Sequence, residues 1–130
     1  MFDFEKLEVY QVVKNQNAKV LRFLIEQTSI ESYLADQLKK ATVNIQLNLA
    51  EATGRMIDAE KRQFLTIARS SVFESVAIMD MMKGTGNITE EIYTDLYNGY
   101  EQISKMLLGM YRSYASKPFN PSKEAPTPNI

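Results

Sequence analysis

Hydrophobic residues recur every three or four positions through four successive stretches of this chain. That spacing is typical of amphipathic α-helices, each of which buries one face. For example, the last stretch carries apolar or aromatic residues at Ile92, Leu96, Tyr100, Ile103, Leu107, Met110 and Tyr114. We therefore predict an all-α protein with four helices.

Residues that favour helix ends separate these stretches. Asp3 is the predicted N-cap of the first helix, Thr89 is that of the fourth, and Asp58 is placed to cap the third. Gly54 is expected to end the second helix in a left-handed turn, and the third helix should end near Gly84. Loops of about four to six residues make consecutive helices run antiparallel. The predicted fold is an up-down-up-down four-helix bundle over residues 1–116.

Residues 117–130 differ in composition from the rest of the chain. They contain all four prolines of the sequence, placed among small polar residues. Such a composition favours a disordered or extended segment. We therefore predict a Pro-rich tail after the bundle.

Helices two and three carry a second apolar line beside their predicted core positions. One bundle core is not expected to cover both lines, and an extra apolar face of this kind usually marks an interface between subunits. The alternative is a wide core stripe within one subunit. The predicted interface residues are Val43, Leu47, Ala50, Leu65, Val72 and Val76.

A line of polar residues also follows the second helix and ends in a potential ion pair. Asn44, Asn48, Glu51 and Arg55 recur at helical spacing, and Asn48 falls on the predicted core stripe. In one interpretation these groups satisfy one another in a buried cluster. Glu51 then accepts from Arg55 or from Arg69 on the next helix, and Asn48 bonds a backbone carbonyl. Such a cluster would fix the register of the helices.

Two other interpretations of this line stay open. Arg55 and Arg69 would bind an anion near the start of the third helix, where the helix dipole favours negative charge. Alternatively, Glu51 and Glu74 would act as paired carboxylates, either in catalysis or as metal ligands.

The composition argues against most enzyme classes. The chain has no cysteine and no histidine, which removes thiolate nucleophiles, zinc-thiolate sites, the usual general base and the Glu-x-x-His signature of a di-iron bundle. We predict a non-enzymatic protein without a cofactor. An acidic amino terminus and the lack of a long apolar run favour a cytoplasmic protein with no membrane segment.

The net charge of -1 gives no general attraction to nucleic acid. Between residues 37 and 72, however, the sequence has six basic residues and only three acidic ones, whereas the last helix has a net negative charge. A phosphate backbone could bind this local surface by counterion release, and the alternative is ordinary solvated charge with pairs between subunits. The candidate surface consists of Lys39, Lys40, Arg55, Lys61, Arg62 and Arg69.

Three segments of the chain carry a resemblance to a known family: residues 4–11 (FEKLEVYQ), residues 48–55 (NLAEATGR) and residues 64–71 (FLTIARSS). They resemble bacterial four-helix-bundle proteins that are encoded in intervening sequences of the 23S ribosomal RNA gene and are often labelled S23 ribosomal protein. The chain departs from the family pattern at Ala52, where a glycine is usual, and at Ser70, where Gly-Ser is usual in place of Ser-Ser.

The resemblance implies a homopentamer of four-helix bundles arranged in a ring, with no established reaction. The family is similar to the accessory variability protein of diversity-generating retroelements, a pentamer that binds nucleic acid and a reverse transcriptase through a strongly basic surface. This chain departs from that pattern, because its net charge is -1. Two hypotheses for function follow: a module that binds RNA or another nucleic acid, and a scaffold for protein interactions.

Overall fold

The computed structural model describes residues 1–115, which are helical almost throughout and contain no β-strand. A single 3₁₀ turn precedes four α-helices. The elements are the 3₁₀ turn Asp3–Lys6, α1 Glu8–Glu26, α2 Ser32–Gly54, α3 Asp58–Gly84 and α4 Glu90–Ser113. The predicted all-α fold is confirmed, and the predicted tail at 117–130 lies outside the described residues.

The helices form an antiparallel four-helix bundle. Helix α1 packs on α2 and α4, and α3 packs on the same two helices from the other side. The short connections between consecutive helices require this up-down-up-down order.

The core follows the predicted apolar stripes, most closely on α4. Leu96, Tyr100, Ile103 and Leu107 are all buried there, and burial of each large apolar side chain contributes about 1.5–3 kcal/mol. On α2 the stripe includes Leu49 in place of the predicted Asn48, which is only half-buried; the buried set on this helix is Ala35, Leu38, Ala41, Thr42, Ile45, Leu49 and Ala52.

The predicted N-caps are confirmed at one helix and wrong at two. Thr89 Oγ1 accepts the N–H of Ile92 at 3.3 Å and caps α4. Asp3 does not cap α1, because it starts the 3₁₀ turn and an extended residue separates that turn from α1. Asp58 is already the first residue of α3, where its negative charge faces the positive end of the helix dipole.

The predicted C-terminal ends of α2 and α3 are correct in position. Gly54 closes α2 without the expected left-handed conformation, because the chain leaves the helix in an extended conformation at Arg55. Gly84 closes α3, and the left-handed residue of the following turn is Gly86, at φ +76°.

Candidate functional site

The predicted polar line on α2 is partly exposed and forms its hydrogen bonds within that helix. Asn48 Nδ2 donates to the carbonyl oxygen of Asn44 at 2.8 Å, as the register interpretation expected. Arg55 Nη2 donates to Glu51 Oε1 at 2.6 Å, one helical turn away. Both charged side chains are about half-exposed, so the prediction of a buried ion pair is wrong.

Arg55 also reaches α3, where its guanidinium lies over the ring of Phe64 at 4.5 Å. Its Nε is enclosed and has no hydrogen-bond partner among residues 1–115. The cation–π contact with Phe64 offsets part of that cost. Arg55 therefore ties the end of α2 to the start of α3.

Arg69 does not meet Glu51, contrary to one branch of the prediction. Arg69 Nε donates to the carbonyl oxygen of Ser104 on α4 at 3.2 Å, and the guanidinium lies 4.8 Å from the centre of the Phe73 ring. Arg69 thus joins α3 to α4 and stands apart from the polar line on α2.

Lys61 and Arg62 donate hydrogen bonds to carbonyl groups at the C-terminal ends of two other helices. Lys61 Nζ donates to the carbonyl oxygens of Ala52 and Thr53 at 3.3 Å and 3.2 Å, and Arg62 Nη1 donates to that of Tyr114. The last carbonyls of a helix lack partners within it and carry its negative dipole end, so cations are favourable there. Both residues are half-buried and act as C-terminal caps of α2 and α4.

Two of the six predicted nucleic-acid residues remain as exposed cations. Lys39 and Lys40 lie on the surface of α2, and no ion pair within residues 1–115 includes either of them. The other four have their charged groups engaged within the subunit, so the six do not form one free basic surface.

The two predicted carboxylates, Glu51 and Glu74, do not share a site. Thr42 and Ser75 both adjoin the hydroxyl of Tyr100 and mark one height in the bundle. Glu51 lies nine residues beyond Thr42, and Glu74 lies one residue before Ser75. Because α2 and α3 are antiparallel, both carboxylates lie on the same side of that level, about 12 Å apart along the bundle axis. Within residues 1–115, no three acidic side chains lie close enough together to hold a metal ion.

A buried polar network at the centre of the bundle was not predicted. Asn17 Nδ2 on α1 donates to the Thr42 carbonyl oxygen at 2.9 Å and contacts Gln46 Oε1 at 3.3 Å. The Tyr100 hydroxyl on α4 donates to Asn17 Oδ1 and lies beside Thr42 Oγ1, both at 3.4 Å. Burial raises the pKa of Tyr100 to about 12, although the neighbouring Thr42 and Ser75 hydroxyls oppose the rise.

A second buried amide joins α1 to α4. Gln16 Nε2 donates to the carbonyl oxygen of Leu96 at 2.7 Å. Gly99 leaves the space for this side chain, because a Cβ atom at that position would lie 2.1 Å from Gln16 Oε1. The sequence did contain a signal: Gln16 and Asn17 occupy the helical positions between Val13 and Val20 that would continue the apolar stripe of α1.

The predicted oligomer interface divides between the surface and the core. Val43 and Leu47 on α2 are exposed, Leu47 by 61%, and Ala50 is half-buried. On α3, Leu65 and Val72 are only 1% exposed and belong to the bundle core. The prediction is wrong for Leu65 and Val72, because α3 packs against both α2 and α4 and therefore needs a wide apolar stripe. Val76 is half-buried at the edge of that stripe.

A shallow groove runs between α3 and α4 on the outside of the bundle. Phe73, which is 56% exposed, separates two depressions of about 350 and 520 Å³. The first also contains Arg69, Leu108 and Tyr111. The side chains that line the second, beside Phe73, include Val76, Ala77, Asp80, Tyr93, Tyr97 and Glu101. We call this feature the α3–α4 groove.

The sequence profile of the family described as "23S rRNA-intervening sequence protein" matches residues 5–109. The chain belongs to this family. The match covers α1, α2 and α3 in full and all of α4 except its last four residues. No curated protein matches the chain significantly.

A solved structure supports the fold of this family member. It is a crystal structure of a protein of unknown function from the S23 ribosomal protein family of Bacteroides thetaiotaomicron. The two chains are 21% identical, the match covers 80% of this chain and 98% of the other, and the TM-score is 0.74. At this identity the similarity shows a shared fold. Among the helices of residues 1–115, none is long and apolar enough to cross a membrane.

Proposed function

We propose that this member of the 23S rRNA-intervening sequence protein family is a non-enzymatic four-helix bundle that associates with itself and acts as a binding protein or scaffold. The observation that carries the proposal is the exposure of large apolar side chains on two separate parts of the surface. Val43 and Leu47 lie on α2, and Phe73 lies in the α3–α4 groove with Tyr97 and Tyr111. Contiguous exposed apolar groups usually mark an interaction surface.

The side-chain chemistry supports binding over catalysis. The sequence offers neither histidine nor cysteine, and Glu51 and Glu74 are separated along the bundle. The best-formed polar group, around Asn17 and Tyr100, is fully enclosed in the core and has no route to a substrate. These features favour a function that depends on surfaces.

Light scattering coupled to size-exclusion chromatography tests the self-association. A pentamer, which is the assembly that the family resemblance implies, would have a mass of about 75 kDa, five times the 14.9 kDa of one chain. We expect a mass well above one chain that persists on dilution. A single species of one-chain mass at every concentration would overturn the proposal.

Nucleic-acid binding is the second candidate, favoured by the exposure of Lys39 and Lys40. It is the weaker candidate because Arg55, Lys61, Arg62 and Arg69 have their charged groups engaged within the subunit.

An electrophoretic shift assay on RNA, titrated with salt, tests this candidate. Binding through phosphates must weaken with salt, with a slope of about 0.7–0.9 per contact in a double-logarithmic plot. Replacing Lys39 and Lys40 by Ala should reduce that slope, whereas replacing the exposed Lys14 on α1 by Ala should not. No binding at low salt, or binding indifferent to salt, would reject the candidate.

A further inference from the structure

We propose that the exposed face of α2 in one copy docks in the α3–α4 groove of a second copy, so that subunits join head to tail. This inference rests on the proposed self-association and assigns the two surfaces that form it. The α2 face consists of Lys39, Lys40, Val43 and Leu47.

The two surfaces match in shape and polarity. Val43 and Leu47 are successive exposed positions, four residues apart on the outer side of a helix, and so form a convex apolar ridge. The α3–α4 groove is concave, and the exposed ring of Phe73 lies between its two depressions. An amphipathic helix that lays its apolar face in a hydrophobic groove, with anchors at positions such as i and i+4, is a recurrent mode of recognition.

Opposite charges lie at one end of each surface. Lys39 and Lys40 begin the α2 face, and Asp80 and Glu101 line the second depression of the groove. Asp80 takes part in no ion pair within residues 1–115. Glu101 has only a loose contact with the exposed Lys105, at 3.9 Å. Complementary charge of this kind favours a defined orientation of two partners.

These groups also lie at corresponding heights along the bundle, measured from the level of Thr42, Ser75 and Tyr100. At 1.5 Å per residue, Lys40 lies about 3 Å from that level, and Asp80 lies about 7 Å from it in the same direction, because α3 is antiparallel to α2. The apolar groups of the two surfaces also lie at matching heights.

On the other side of that level, Val43 and Phe73 lie within about 3 Å of it. Copies related by rotation about an axis parallel to the helices keep equal heights. Glu101 lies about 1.5 Å from that level on the same side as Val43, because α4 runs parallel to α2. In such a ring Lys40 comes within about 5 Å in height of both Asp80 and Glu101, which its side chain can span, and Val43 comes within about 2 Å in height of Phe73.

The two surfaces lie on different parts of one subunit, so each copy can use both at once. Such a heterologous contact closes into a ring when the rotation between copies allows it. Lys39 and Lys40 would be covered in this ring, so the inference also opposes nucleic-acid binding through them.

Two variants test the assignment by light scattering. Leu47→Asp places a charge on the α2 face and leaves the α3–α4 groove intact. Phe73→Asp places a charge in the groove and leaves the α2 face intact. Each variant alone should have the one-chain mass of 14.9 kDa. An equimolar mixture should form a heterodimer of about 30 kDa, twice that mass, and nothing larger, because it retains one working pair of surfaces.

Matched controls use exposed apolar residues outside both surfaces, namely Ile67→Asp on α3 and Ile25→Asp on α1. Both controls should keep the mass of the unmodified protein, and far-ultraviolet circular dichroism should show that all four variants are folded. Variants that stay assembled, a mixture that stays monomeric, or an assembly lost with Ile67→Asp would overturn the inference.

A charge exchange provides a second measurement. Asp80→Lys with Glu101→Lys should dissociate the assembly, and adding Lys39→Glu and Lys40→Glu to the same chain should restore its mass. Failure of this rescue contradicts the pairing. If the unmodified protein is itself a monomer, the proposed function fails as well. If it assembles regardless of these changes, only the assignment of surfaces fails.

Discussion

Replacing Asn17 by Ala should lower the free energy of unfolding more than the same substitution at an exposed position. The Asn17 side chain makes three contacts, to the Thr42 carbonyl, the Gln46 amide and the Tyr100 hydroxyl. It is only 2% exposed and Tyr100 is 0% exposed, so these two residues meet away from bulk water.

The magnitude follows from these contacts. A neutral hydrogen bond contributes about 1 kcal/mol, and a buried group left without a partner costs about 1–3 kcal/mol. The Thr42 carbonyl keeps its helical bond, and the Tyr100 hydroxyl keeps Thr42 Oγ1 beside it. The half-buried Gln46 amide keeps its bond to Tyr10. The loss therefore consists of up to three hydrogen bonds, at about 1 kcal/mol each, together with the packing of a buried side chain. We expect the free energy of unfolding to fall by about 2–4 kcal/mol.

Urea denaturation followed by circular dichroism measures this change. Protein concentration must be held constant, because the proposed self-association would add to apparent stability. The control is Asn15→Ala, the same substitution on the exposed side of the same helix, which should change stability by less than about 0.5 kcal/mol.

A double-mutant cycle isolates the contact between Asn17 and Tyr100. With Tyr100→Phe as the second change, the two substitutions should be non-additive by about 0.5–1.5 kcal/mol. Equal effects of Asn17→Ala and Asn15→Ala, or strict additivity in the cycle, would refute the view that this network holds α1, α2 and α4 together.

Three further changes probe separate parts of the bundle. Gly99→Ala should lower the melting temperature, because its Cβ would displace the buried Gln16 amide and break its bond to the Leu96 carbonyl, which costs more than the helix propensity gained from alanine; an unchanged value would contradict the tight α1–α4 contact. The pKa of Tyr100 rises from 10.0 to about 12 on folding, so its contribution to stability is complete below about pH 10 and is lost as the pH rises through about 12. That loss, up to about 2–3 kcal/mol, should be absent from alkaline urea titrations of Tyr100→Phe. Glu51→Ala should cost no more than about 0.5 kcal/mol by thermal unfolding, because the pair with Arg55 is half-exposed; a loss of several kcal/mol would restore the buried-cluster interpretation.

The helices were predictable because their period is a local property of the sequence. Leu96, Tyr100, Ile103 and Leu107 repeat at 3.6-residue spacing, and Thr89 starts their helix with a side chain suited to capping. Local pattern and tertiary packing agree there, so the prediction succeeds.

The role of a polar residue was harder to predict, because it depends on a partner distant in sequence. Lys61 caps the end of α2 and Arg69 bonds a carbonyl of α4, whereas composition alone placed both on a basic surface. Leu65 and Val72 were assigned to an interface because the width of the apolar stripe on α3 depends on how many helices it contacts. Only the packed bundle supplies that number.

Packing within the subunit and the proposed association use different residues. The contacts that fix the helices pass through Asn17, Tyr100 and the helix-end cations, all within one subunit. The surfaces proposed for association centre on Leu47 and Phe73, whose side chains are mostly exposed in that same subunit. Loss of either should therefore change assembly while leaving the fold intact, because little of the buried core depends on them. The converse holds for Asn17→Ala, which should weaken the bundle before any surface is altered. If a substitution at Leu47 abolished both assembly and folding, folding and assembly would depend on the same contacts.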